Sequence, residues 1–160
     1  MSGDHWPTAT LDPIRRARVM AAAVPGGFAE VVLDVPFERA WAWLSDLEHS
    51  VPAFDRRVDR LRITARRPAR DGDAEGISFV ATRHRLSLPF TARLEDGWCV
   101  MRPRGRIFVV VMAAVPDGAG RTRYAQLEAM PRPGGRLLQR HFGRDVQHDV
   151  KEIRALLSPG

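Results

Sequence analysis

The chain reads as an α+β protein: a curved, seven-stranded antiparallel sheet around a long C-terminal helix, with two short helices after the first strand. Three observations point there. Two-residue alternation recurs between short turns, as in RLRITAR (60–66), where Leu61, Ile63 and Ala65 oppose Arg60, Arg62, Thr64 and Arg66. Such alternation describes a sheet with one buried and one wetted face. The last segment, 136–157, changes period. Leu138, Phe142, Val146, Val150, Ile153 and Leu157 recur every three or four residues, the stripe of an amphipathic helix. Between them, DVPFERAWAWLSDLEHS (34–50) stops alternating at Pro36 and turns helical at once.

Taken in order, Asp12 suits an N-cap and Pro13 a first helical position, and Pro25-Gly26-Gly27 stops the helix they begin. Ile14, Ala17, Ala21 and Val24 share one face, as expected of a helix packed on its own domain. Residues 1–27 are read as a helical extension and 28–160 as one ligand-binding domain. In 29–35, Ala29, Val31, Leu33 and Val35 take one side of a strand and Glu30 and Asp34 the other. Helices are expected over 37–47 and 50–55, closing one end of the space between sheet and terminal helix. Trp41 is expected in the core, since Trp43, two residues on, cannot share its face.

The stretch 77–97 holds two strands, with Leu86, Leu88, Phe90, Ala92 and Leu94 on one side and a hairpin turn at Asp96-Gly97. WCVMRP, RIFVVVMAAV and RTRYAQLEAM supply three more, and Arg132-Pro133-Gly134-Gly135 precedes the terminal helix.

Composition excludes several classes. A chain of 160 residues, 44% hydrophobic, fits one domain with a substantial core. No apolar run approaches the roughly 18 residues of a membrane span. The run after RRAR, 19–24, is shorter than the about 7–15 residues of a signal-peptide core, so a cytoplasmic location is expected. Cys99, alone, has no internal disulfide partner and no zinc spacing, and reads as a small buried hydrophobe. The net charge is +6 and the pI about 11.0. There is one lysine and no asparagine, however, and the arginines are spread among acids, so the charge reflects composition rather than a nucleic-acid footprint. Neither a phosphate loop nor a nucleophile elbow is present. No cofactor and no metal is expected.

Val35-Pro36, Ala40-Trp41 and Asp46 resemble the strand–Ala-Pro–x-x-x-Val-Trp–x-x-x-x-Asp entry of the SRPBCC superfamily, which joins START, pollen-allergen and polyketide cyclase proteins in the helix-grip fold. The resemblance runs from about 29 to 157, and 97–127 looks like an actinobacterial, cyclase/dehydrase-like subgroup. It implies a cavity for a hydrophobic small molecule and polyketide cyclase/dehydrase-like chemistry on a poly-carbonyl or aromatic intermediate. The alternative is a non-catalytic carrier or sensor of a lipid or other hydrophobic ligand, since this fold hosts both. A homodimer is one assembly left open.

Polar residues on the inward parity are the site candidates. Ile77, Phe79 and Ala81 bring Arg83 with them, and Trp98 and Val100 are expected to bring Arg102. Tyr124, Gln126 and Glu128 share one side of their strand, and the sequence leaves open whether it faces in. A phenol there would donate to a carbonyl or protonate an enolate. His141, Asp145, His148 and Glu152 form a stripe beside the apolar face of the last helix, read either as a solvated face with favourable charge pairs or as one that sets His141 at the cavity rim for proton transfer. Asp149 falls within that apolar face and should find an arginine or a backbone donor. Arg83, Arg102, Tyr124 and His141 are thus the catalytic candidates, and Leu86, Leu88, Phe90, Trp98 and Gln126 the ligand-binding ones.

Overall fold

The computed structural model describes residues 10–70, 74–105, 107–130 and 134–158. Residues 1–9 of the N-terminal segment, Arg106 at the expected start of a strand, and Arg132-Pro133 lie outside them. Helix α1 (Pro13–Ala23) begins as its sequence requires: the Asp12 carboxylate accepts from the Arg15 amide at 3.0 Å, beside Pro13. Strand β1 (Gly26–Leu33) starts earlier than expected, taking in both glycines. The reason is close approach. A Cβ on Gly26 would lie 2.0 Å from the Glu128 carbonyl oxygen, and one on Gly27 would lie 2.4 Å from the Phe142 backbone. Only glycine lets a helix backbone touch the strand in this way.

The two short helices are α2 (Phe37–Ser45) and α3 (Leu47–Phe54), so the break falls at Asp46, before the expected one. Asp46 has ψ 74°, outside the helical region, and its carbonyl accepts from the amides of His49 and Ser50. It thereby ends one helix and starts the next. Trp41 is buried in the core, while Trp43 is half-buried and meets Phe54 at 6.3 Å.

The remaining strands are β2 (Arg60–Arg67), β3 (Glu75–Arg83), β4 (Leu86–Glu95), β5 (Trp98–Pro103), β6 (Val109–Pro116) and β7 (Thr122–Ala129), followed by α4 (Gly135–Leu157). All pair antiparallel in the order β1-β7-β6-β5-β4-β3-β2. A register shift between Ile63 and Ala65 interrupts the alternation of β2, and Ala65 is exposed although Leu61 is buried.

Both faces of the sheet are covered, by different elements. On the concave face, Leu33, Phe79, Ala92, Met101, Met112 and Tyr124 meet α2, α3 and α4 in the larger core. On the convex face, α1 seats Ile14 and Ala17 on Trp98, Val111, Ala113 and Leu127, with Ala21 and Val24 packed alongside. The N-terminal helix is therefore part of the same packed body. α4 packs chiefly on β1 and β7, and α3 on β2. The concave faces of β3, β4 and β5 lie between those two contacts, and there the structure keeps a gap.

Candidate functional site: a cavity with one polar end

The gap is a cavity of about 470 Å3, within the range of small-molecule sites. Most of its wall is apolar. Phe79 and Phe90 stack across β3 and β4 at 5.1 Å, and Phe108 meets Phe90 edge-on at 6.0 Å. Leu61, Met101 and Val110 continue the wall, and Val51 and Phe54 of α3 close it. At one end it becomes polar, with Asp55, Arg57, Gln126 and Glu128 facing in.

That end is organised by Arg57, in the turn after α3. Its Nη1 donates to Glu128 Oε2 at 2.8 Å and its Nη2 to Glu128 Oε1. Nε and Nη2 also donate to Asp55 at 2.9 and 3.0 Å, and Nη1 donates to Asp145 Oδ2 at 3.2 Å. Asp149 Oδ2 lies 3.6 Å from Nη2. Burial opposes the charge of Arg57, but the hydrogen bonds with Glu128 and Asp55 outweigh it and hold its pKa above the ordinary value.

A second chain of bonds runs behind. The Tyr124 hydroxyl donates to Gln126 Oε1 at 2.9 Å, and Gln126 Nε2 donates to Asp149 Oδ2 at 2.8 Å. The amide is held from both sides, and its second N–H has no partner among the described residues. Asp149 Oδ1 is buried without a hydrogen-bond partner. Burial, with Asp55 and Glu128 close by, pushes the Asp149 carboxyl up to about 8, against the pull of Arg57. At neutral pH this acid therefore keeps its proton. Burial also raises Glu128, with Arg57 opposing, and raises Tyr124 well above the usual phenol value. The Cys99 thiol, fully buried, is pushed up to about 12 and is not a nucleophile.

Asp55, Glu128 and Asp149 bring carboxylate oxygens within 4.8 Å of one another, a spacing that would suit a hard cation. The Arg57 guanidinium already bonds Asp55 and Glu128 and supplies the positive charge there.

Several candidates read from sequence meet at the cavity. Leu86, Leu88, Phe90, Gln126 and Arg83 line it, with Leu86 and Arg83 exposed at its mouth. Tyr124 faces inward but sits behind Gln126, fully buried and outside the lining. His141 is exposed on α4, away from the lining. The placement of Trp98 and Arg102 needs correction. Both lie on the convex parity: Trp98 is buried under α1 with the Arg16 guanidinium 4.7 Å from its ring, and Arg102 is exposed. The cause is the two-residue turn Asp96-Gly97, which pairs Leu94 with Cys99 and Glu95 with Trp98. Paired residues share a face, so inward Leu94 sends Cys99 and Met101 inward and Trp98 outward. Arg57, Asp55 and Asp145 were missed as a site. The run FDRRVD (54–59) carries no spacing that marks them, and only the fold brings Arg57 to Glu128, 71 residues away.

No protein-family model matches the chain, and no curated protein matches it. Solved structures do. The di-domain ARO/CYC StfQ from the steffimycin biosynthetic pathway has TM-score 0.59 and 13% identity over 84% of this chain and 50% of its own. ZhuI aromatase/cyclase from Streptomyces sp. R1128 has TM-score 0.57 and 13% identity over 81% and 91%. Protein jhp0584 from Helicobacter pylori has TM-score 0.64 and 11% identity over 98% and 97%. This chain spans half the length of StfQ. Together with the sheet and helix order, these likenesses define a helix-grip fold. At such identities they show the fold alone, and they do not reach the narrower subgroup likeness of 97–127.

Proposed function

We propose that the cavity binds a hydrophobic small molecule and that the protein is polyketide cyclase/dehydrase-like, acting on a poly-carbonyl or aromatic intermediate. One observation carries this reading: an apolar cavity of about 470 Å3 ends in an oriented amide and a buried carboxyl group. The free N–H of Gln126 would donate to a ligand carbonyl and stabilise the enolate formed from it. Glu128, raised by burial and facing the cavity, would take or return the proton. The apolar wall would hold the chain folded, bringing a carbon nucleophile near a carbonyl. Tyr124 would act through Gln126 as a positioning residue. Arg83 would meet the ligand at the mouth.

A second reading, a carrier or sensor, is favoured by a specific feature: Arg57 and Glu128 are already hydrogen-bonded to each other, and Tyr124 is withheld behind Gln126. The test measures binding and product together, using a poly-β-carbonyl thioester on wild type, Glu128→Gln and Gln126→Leu. An enzyme predicts cyclised product from wild type, with the rate reduced roughly 10²-fold or more in Glu128→Gln while binding persists. Binding without product from any of the three would establish the carrier. Product forming at the wild-type rate in both variants would refute these roles.

A further inference from the structure

Antiparallel pairing decides which ends of the elements lie together. Thr82 pairs with Arg60, Arg83 with Leu86, Phe90 with Pro103, and Met101 with Val110. Val109 pairs with Ala129, which in turn pairs with Gly26, and Gly135 at the start of α4 abuts Met130. One end of the molecule is therefore built from the β3–β4 tip, the loop between β5 and β6, and the first turn of α4.

Among the described residues, five of the eight exposed large hydrophobic side chains occupy this end: Leu86 (81% exposed), Leu88, Ile107, Leu137 (85% exposed) and Leu138. Arg83, Arg85, Arg102 and Arg104 stand among them, all exposed and none ion-paired to a described residue. Asp59 is the acid at the foot of this end, and its carboxylate is tied to the His84 amide. At the opposite end Glu95 is ion-paired with Arg16, and Asp117 with Arg121 and Arg123. The end with the β3–β4 tip is thus basic and apolar at once. The cavity opens at the basic end, where Arg83, Leu86, Leu88 and Phe108 line it.

We propose that this end docks peripherally on an anionic lipid surface, with Leu86, Ile107 and Leu137 entering the interface and the arginines meeting headgroups. The exposed apolar side chains belong to three separate segments, the β3–β4 tip, the β5–β6 loop and the first turn of α4. A fluid interface accepts such side chains, whereas a protein partner would need a matched socket for each. Arginine is also the side chain whose stem can lie in the apolar boundary while its head reaches phosphate. A ligand leaving the cavity would pass into the acyl boundary without crossing water. The docking rests on the outer end of the molecule and is independent of what the cavity holds or does.

The test is co-sedimentation with phosphatidylcholine vesicles with and without phosphatidylglycerol. The chain should bind the anionic vesicles and lose binding as salt rises. Each arginine near the surface should contribute about fivefold, so Arg85→Glu with Arg104→Glu should weaken binding by roughly twentyfold or more. Leu86→Ser with Ile107→Ser should weaken it by roughly tenfold or more. Leu156→Ser, also at an exposed leucine but at the far end of α4, should leave it unchanged. No binding to anionic vesicles, or binding indifferent to both double variants, would overturn the proposal. So would a chain that ignores vesicles and instead binds poly-glutamate through Arg85 and Arg104, which would make this end a site for an acidic protein.

Discussion

Asp149 shows how one buried side chain couples the site to stability. Its Oδ2 accepts from Gln126, its Oδ1 has no partner, and its carboxyl is raised to about 8. In the unfolded chain an aspartate titrates near about 4. Between those values the folded state binds the proton and the unfolded state does not, so stability falls as pH rises through that window. The contribution is complete below about 4 and gone above about 8, and Glu128, also raised, adds in the same direction. Asp149→Asn resembles the protonated acid and cannot ionise. Its melting temperature should vary less with pH than that of wild type between pH 5 and 9, with the variant the more stable by several degrees at the alkaline end. Thermal melts across that range check this, and parallel curves would show that Asp149 is already ionised in the native state.

At the scale of elements, helix α4 sits where Gly27 lets it. Gly27→Ala would place a methyl 2.4 Å from the Phe142 carbonyl carbon and oxygen, backbone atoms that cannot turn aside. Denaturant unfolding should show a loss of roughly 2 kcal/mol or more, a large effect for one methyl. A loss under about 0.5 kcal/mol, the usual size of an exposed substitution, would mean that α4 does not approach β1 this closely. The elements that were legible in the sequence are those whose pattern is local. The terminal helix showed its apolar stripe, and β4 the shared side of Phe90, Ala92 and Leu94. The orientation of β7 was not legible, because β6 beside it is apolar on both faces: Val111 and Ala113 meet α1, and Met112 and Ala114 meet the main core. The outward turn of Trp98 could have been read, since a two-residue Asp-Gly turn fixes which residues pair. The strand start at Gly26 was hidden for another reason: a glycine pair reads as a stop until the strand that presses on Gly26 and the helix that presses on Gly27 are known.

The molecule as a whole is a sheet covered on both faces, with a deliberate gap in one cover. α1 fills the convex side, α4 and α3 cover the two margins of the concave side, and the cavity occupies the remainder. Its polar end was the least legible part of the site, because it joins Asp55 and Arg57, Gln126 and Glu128, and Asp145 and Asp149 from three distant segments. Of that group Gln126 stood out as a ligand-binding candidate and Asp149 as an acid needing a partner, while Glu128 was noted only as sharing the strand face of Gln126 and Asp145 only as part of a helix stripe. The central claim is that the gap receives an apolar ligand. Ala81 lines the cavity, so Ala81→Phe should fill part of it without touching the polar end. Titration calorimetry with 1-tetralone, a neutral ketone small enough for about 470 Å3, compares wild type with that variant. Saturable binding by wild type, lost in a folded Ala81→Phe protein, is the predicted result; no binding by folded wild type, or equal binding by both, would contradict it.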